Sequence, residues 1–162
     1  MTSRTRTRRL ATVVAGAATA LVATAVPAFA VTQAYAESVF SSNGITWSSS
    51  GNCTDRNNST CTSFDGLRQD SVDGAVTLKN ASGCALNITG GTEVGHASGT
   101  YSHYNGYKLD FSHYTCLTSY IHTRFTYIGL RGDGAPMYQA ASGNVYADEG
   151  SHWDVTFYSC GC

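Results

Sequence analysis

The chain has 162 residues, 42% of them hydrophobic and 13% charged, with a formal net charge of −1. Four of its ten basic residues fall in the first nine positions, and without them six basic residues face eleven acidic ones, a net charge of −5. That balance argues against nucleic acid or an anionic membrane surface as a partner.

Arg4, Arg6, Arg8 and Arg9 precede an apolar run from Leu10 to Val26 and an Ala28-Phe29-Ala30 end, the pattern of an export leader over 1–30. Ala34-Tyr35-Ala36 is a second possible cleavage point, and Arg8-Arg9 suggests a twin-arginine route. Cleavage after Ala30 leaves 132 residues, enough for one domain, with no second apolar span, repeat or linker. The expected product is secreted and makes no stable membrane insertion.

All six cysteines, at 53, 61, 84, 116, 160 and 162, follow the leader, so export makes disulfides the expectation. Cys160-Gly161-Cys162 is tight for a direct bridge, since bridged Cα atoms usually lie about 4.4–6.8 Å apart. Separate partners are therefore expected for the two tail cysteines, with Cys53–Cys61 as a local loop and Cys84 and Cys116 left for the tail. Roughly fifteen pairings remain possible.

Residues 37–63, rich in Ser, Asn, Thr and Gly, read as an extended or looped arm. Ser71 caps an expected helix carrying Val72, Ala75, Val76 and Lys79, with Gly83 as its stop. Cys84, Leu86 and Ile88 alternate as a half-buried strand until Gly90-Gly91 breaks it. A glycine loop to Ser102 carries Glu93 and His96, and Tyr107, Leu109 and Phe111 mark a second strand. Leu117, Tyr120, Ile121, Arg124 and Phe125 fit a second helix. Met137–Ala140 and Val145–Ala147 form an expected hairpin. In the final strand Trp153, Val155 and Phe157 face one way, and His152, Asp154 and Thr156 the other. The expected class is α+β, an antiparallel sheet with two helices.

A catalytic zinc takes three ligands from His and carboxylate side chains and keeps one position open. His103 precedes the 107–112 strand, Asp110 lies seven residues on, and Gly106 permits a tight turn between them. His152 sits on the polar face of the last strand, and Glu149 three residues earlier is within reach as general base. The run Ser102-His103-Tyr104-Asn105-Gly106-Tyr107-Lys108-Leu109-Asp110 resembles the H-x6-D element of the M15 family of D-alanyl-D-alanine peptidases, and Glu149-Gly150-Ser151-His152-Trp153 resembles its E-x-x-H element. The resemblance spans roughly Ser71 to Phe157. It implies the hedgehog/DD-peptidase fold over 64–162 after a 31–63 arm, zinc on His103, Asp110 and His152, and Glu149 as base. The implied activity is hydrolysis of D-amino-acid peptide bonds in peptidoglycan stem peptides.

Many members of that family carry an arginine ahead of the first histidine, where it binds substrate and the developing oxyanion. Here that loop has none. Arg68, Thr92, His96 or a glycine-loop N–H are the candidate replacements, and Glu93 is a candidate for binding a substrate ammonium. Asp154, on the same strand face as His152, is a candidate for orienting a ligand imidazole. Tyr101, Tyr104 and Tyr107 either line a groove or cover the sheet. Arg131-Gly132-Asp133 reads as a tight turn, His113 and His122 have no partner at ligand spacing, and Asn58, Asn80 and Asn87 begin N-x-S/T triplets of no expected consequence. Two rivals stand beside the enzyme: an inactive binding or inhibitory protein on the same fold, and a disulfide-stapled domain without metal.

Overall fold

The computed structural model describes residues 30–161, so the leader expected over 1–30 lies, but for Ala30, outside the described residues, as does Cys162. Ala30 bridges to Arg68, and Val31 exchanges hydrogen bonds with Leu67 and Gly66. The Thr32 hydroxyl then accepts from the Tyr35 N–H and starts α1, Gln33–Ser42, which buries Ala36 and Phe40, one helical turn apart. The second possible cleavage point, Ala34–Ala36, lies within this helix. A short strand, β1 (Ile45–Trp47), follows.

The arm is therefore not simply looped. Phe40 meets Phe64 edge-on, with ring centroids 5.0 Å apart, and Ala36, Phe40 and Ile45 share one apolar cluster with the rest of the chain. Polar composition hid a helix whose single buried stripe is only two residues wide.

Helix α2 spans Gln69–Ser82 and closes at Gly83, whose φ of 66° is the left-handed conformation a glycine C-cap supplies. Ser71 is not its cap. The helix begins earlier, at the residue after Arg68, and the buried Ser71 hydroxyl donates to the Gly106 carbonyl at 2.7 Å, tying α2 to the turn before the next strands. Strands β2 (Leu86–Gly90) and β3 (Lys108–Ser112) follow, then α3 (Thr115–Arg124). The rest is β4 (Thr126–Leu130), β5 (Pro136–Gln139), β6 (Val145–Asp148) and β7 (His152–Thr156).

The described residues thus form a mixed α and β fold of three helices, one more than expected, and one seven-stranded sheet in the order β1-β2-β3-β7-β6-β5-β4. β1 runs parallel to β2, and every other pairing is antiparallel. The 140–144 turn joins β5 to β6 as the expected hairpin, with the Gly143 N–H donating to the Ala140 carbonyl. The edge strand β4 was not foreseen. Its Tyr127, Ile128 and Leu130 are all exposed, so it carries no alternation of buried and solvated positions to read.

The helices cover one face of the sheet. Leu109, Phe111, Trp153, Val155 and Phe157 are fully buried there with Val72, Ala75, Leu117 and Ile121, and each of these side chains larger than alanine contributes about 1.5–3 kcal/mol by leaving water. Trp153 donates its indole N–H to Thr118 of α3 at 3.1 Å, satisfying its one polar atom.

Two disulfides have both their cysteines among the described residues. Cys53–Cys61 closes the expected local loop. Cys84 and Cys116 bond to each other, not to the tail, because the approach to β2 and the first turn of α3 bring their Cα atoms to 5.7 Å. Cys160 is disulfide-bonded as well. Among the described residues no helix is long and apolar enough to cross a membrane.

Candidate metal centre

Alternation along β3 and β7 puts Leu109, Phe111, Trp153 and Val155 into the core and turns Lys108, Asp110, His152 and Asp154 to the opposite face. Asp110 and Asp154 are direct cross-strand partners, and Ser112 opposes His152. Two carboxylates facing each other across a ladder repel, and here both are buried, at 5% and 6% exposure. A shared proton or surrounding cations must hold such a pair, and here there are cations.

They gather from three directions. Asp154 Oδ2 accepts from Lys108 Nζ at 2.6 Å and from Arg131 at 2.7 Å. Arg131 comes from the β4–β5 turn, where its guanidinium also pairs with Asp133 and with Glu149. His103, in the turn before β3, brings Nε2 to 3.3 Å from Asp110 Oδ1 and 3.7 Å from Asp154 Oδ1. Its Nδ1 lies 2.7 Å from the Gly91 carbonyl oxygen, which can only accept, so Nδ1 carries a proton and Nε2 faces the carboxylates.

His152 Nε2 joins the same locus, 3.7 Å from Asp110 Oδ1 and 3.3 Å from Glu149 Oε2, while its Nδ1 lies 2.9 Å from the Ser151 hydroxyl. The structure therefore brings His103, Asp110, His152 and Glu149 together in one pocket of about 440 Å³, with His96, Lys108, Arg131, Asp133 and Asp154 also in its wall. His96, His103 and Asp110 form a group whose ligand atoms all lie within 4.8 Å of one another, a set that could hold a metal ion.

Two observations test the fit to a cation. Asp110 Oδ1 and Asp154 Oδ1 are buried and accept no hydrogen bond, an expensive state for carboxylate oxygens unless a cation faces them. The pocket also sets four carboxylates against two cationic side chains, an excess that one divalent ion offsets. The donors are nitrogen and oxygen, a set that suits zinc among other divalent metals. His103 itself meets part of this need from its place between the two carboxylates. Burial opposes its charge, but Asp110 and Asp154 outweigh burial and push its pKa up to about 10. Burial likewise opposes the Asp154 charge, yet the His103 and Lys108 groups hold its carboxyl well below the usual range.

The remaining sequence candidates are engaged elsewhere. Thr92 is buried, and its hydroxyl donates to the Asp65 and Ser63 carbonyls, so it is not available to an oxyanion. Glu93 is 3% exposed and accepts from the Ser63 and Gly91 N–H groups and from His96, leaving nothing for a substrate ammonium. Burial alone would raise its pKa, but these bonds lower it. Arg68 lies over the Tyr107 ring, 4.2 Å from its centroid, pairs with Asp70 and is absent from the pocket wall. Asp154 faces the same His103 nitrogen as Asp110, so the imidazole is oriented from behind by Gly91 and not by Asp154.

Tyr101 packs edge-on against Tyr107 and Tyr158, and Arg56 sits over Tyr104. His113 stacks on Trp153 beside Asp148, and His122 contacts Tyr138 and Trp153, so both belong to the sheet's packing.

Sequence reasoning missed Arg131, Asp133 and the role of Lys108. For Lys108 a signal existed, since it shares a strand face with Asp110 two residues on. For Arg131 none did, because only the β4–β5 hairpin carries that turn over the pocket. No protein-family model matches the chain, and neither curated proteins nor solved structures give a match.

Proposed function

We propose that this chain is a secreted zinc peptidase of the M15 type, with the hedgehog/DD-peptidase fold, that hydrolyses D-amino-acid-containing peptide bonds of peptidoglycan stem peptides. The observation that carries the reading is the meeting of His103, Asp110, His152 and Glu149 in one pocket, from two motifs some forty residues apart in the chain. The substrate class rests on the likeness of those motifs to the family. Secretion rests on the leader pattern and agrees with the disulfides.

In this reading His103, Asp110 and His152 would hold the ion. Bound zinc supplies Lewis acidity, polarising the scissile carbonyl and acidifying water. Glu149 Oε2, on the His152 side of the pocket, takes the proton of the attacking water and returns it to the leaving amine as the C–N bond breaks. Arg131 holds the other oxygen, Oε1, which fixes the carboxylate's orientation. Lys108 and Arg131 together bind Asp154, leaving Asp110 as the carboxylate facing both imidazoles.

The test is elemental analysis of the oxidised protein after dialysis, wild type beside His103→Ala, followed by hydrolysis of a stem pentapeptide by wild type and Glu149→Gln. About one zinc per wild-type chain, lost in His103→Ala, with turnover lost in Glu149→Gln but zinc kept, is the expected result. A folded wild type that takes up no zinc overturns the reading. Zinc without turnover on any wall peptide favours a binding protein on the same fold, consistent with an Arg131 already committed to three carboxylates.

A further inference from the structure

We propose that His96 is a fourth, exchangeable ligand of this metal, so that in the substrate-free protein side chains fill every position of a four-coordinate ion. The inference rests on the metal site proposed above and adds a donor that neither motif contains.

His96 lies in the glycine loop between β2 and β3, and its ring stacks on that of His103 with centroids 3.8 Å apart and planes 17° from parallel. Its Nε2 is 3.2 Å from Glu93 Oε1. Glu93 is a built acceptor: it is buried and fixed by the N–H groups of Ser63 and Gly91. With the Nε2 proton given to Glu93, the Nδ1 lone pair is left facing the pocket, 3.9 Å from Asp110 Oδ2.

His103 repeats this pattern with its nitrogens exchanged, Nδ1 on the Gly91 carbonyl and Nε2 toward Asp110 Oδ1. An imidazole with one nitrogen held by a buried acceptor and the other aimed at a carboxylate is oriented as metal-ligating histidines are. Asp110 thus presents one oxygen to His103 and His152 and the other to His96. Donors on one tetrahedral zinc lie about 3.4 Å apart given bonds of about 2.0–2.1 Å, so the observed group of His96, His103 and Asp110, within 4.8 Å, closes on an ion once the stacked rings tilt to bring their lone pairs together, with His152 reaching the same Asp110 at 3.7 Å.

The count decides the consequence. Three protein donors leave a position open for water, whereas four make the closed sphere typical of structural zinc. Hydrolysis then requires one donor to leave, and the four are not equally held. The side chains of His103 and Asp110 are 4% and 7% exposed, and that of His152, though 27% exposed, is fixed on a central strand. The His96 side chain is 28% exposed, on a loop flanked by Gly95 and Gly99, both with positive φ, and it is the donor that substrate displaces.

The experiment uses the oxidised protein as wild type, His96→Ala, His96→Gln and His103→Ala, each checked for fold by circular dichroism. Zinc affinity is measured by competition with a chromogenic chelator, and the cobalt-substituted forms are compared by visible absorption. Both His96 variants are expected to bind zinc roughly tenfold or more weakly than wild type. Their cobalt bands should weaken as solvent replaces the nitrogen and the coordination number rises. Wild-type affinity and an unchanged cobalt spectrum in both His96 variants, with binding lost in His103→Ala, would overturn the fourth ligand and leave the three-ligand site standing. A wild type that binds neither metal overturns both.

Discussion

Gly90 lies directly beneath the Asp110 carboxylate: a Cβ at position 90 would stand 2.4 Å from Asp110 Oδ2. Its φ is not positive, so the requirement for glycine is steric and comes from the carboxylate alone. Alanine at this position pushes Asp110 out of line with His103. Gly90→Ala is expected to stay folded, with an unfolding midpoint close to wild type, yet to bind zinc roughly tenfold to a hundredfold more weakly, a loss of the size that disturbed ligand support produces. Chelator competition beside thermal unfolding separates the two effects, and unchanged affinity would refute the geometry argued for Asp110.

Gly74 makes a similar contact in the core. Glycine inside α2 costs about 1 kcal/mol against alanine in helix propensity, so Gly74→Ala ought to stabilise an isolated helix. Here the added Cβ would meet the Phe157 ring at 2.3 Å, and overpacking of that kind costs about 1–3 kcal/mol. The clash outweighs the propensity, and the variant is expected to melt several degrees lower. A higher melting temperature would mean that Phe157 yields at little cost.

The two disulfides of the described body close loops of different length, with separations of 8 and 32 residues. In the chain-entropy account the longer loop stabilises by about 3.7 kcal/mol and the shorter by about 2.5 kcal/mol. Replacing both Cys84 and Cys116 by serine is therefore expected to lower denaturant stability more than replacing Cys53 and Cys61. The reverse order would assign the larger effect to native-state packing of the 53–61 loop.

The Asp133 carboxyl lies at the exposed rim of the pocket, and the hydrogen bonds from Arg131 hold its pKa down to about 2 from an ordinary 3.8. A depressed carboxyl stabilises the fold above its unfolded value, and that contribution disappears as pH falls through the folded value, so the window is roughly pH 4 to 2. Carbon-detected NMR titration of Asp133 should give a midpoint near 2, returning toward 3.8 in Arg131→Ala. A midpoint near 3.8 in the wild type would mean that the Arg131 clamp over the pocket is open in solution.

How much of this was readable in advance depends on where each signal lived. Period-two alternation in 107–112 and 152–157 marked both central strands, because those strands bury one face completely, and it put Asp110, His152 and Asp154 on the other. The spacings His103 to Asp110 and Glu149 to His152 were legible for the same reason: each pair sits within one turn and one strand, so local geometry carries it. The hairpin at 140–144 was equally local.

What stayed hidden was carried by contacts between distant segments. Helix α1 was masked by polar composition, since its two buried residues find their partners on Phe64 and the sheet. Whether Cys84 met the tail or Cys116 depended on how α3 docks beside β2. Thr92 and Glu93 looked like free loop chemistry, and only the approach of the 63–65 backbone consumed their hydrogen-bonding capacity. Sequence alone fixed which side chains could serve a metal, because alternation and turn spacing are properties of a few consecutive residues. Only the tertiary structure decided which of them face one another, that Arg131 closes over Glu149 and Asp154, and that His96 stands beside His103, because those meetings depend on β3 and β7 pairing across more than forty residues of chain.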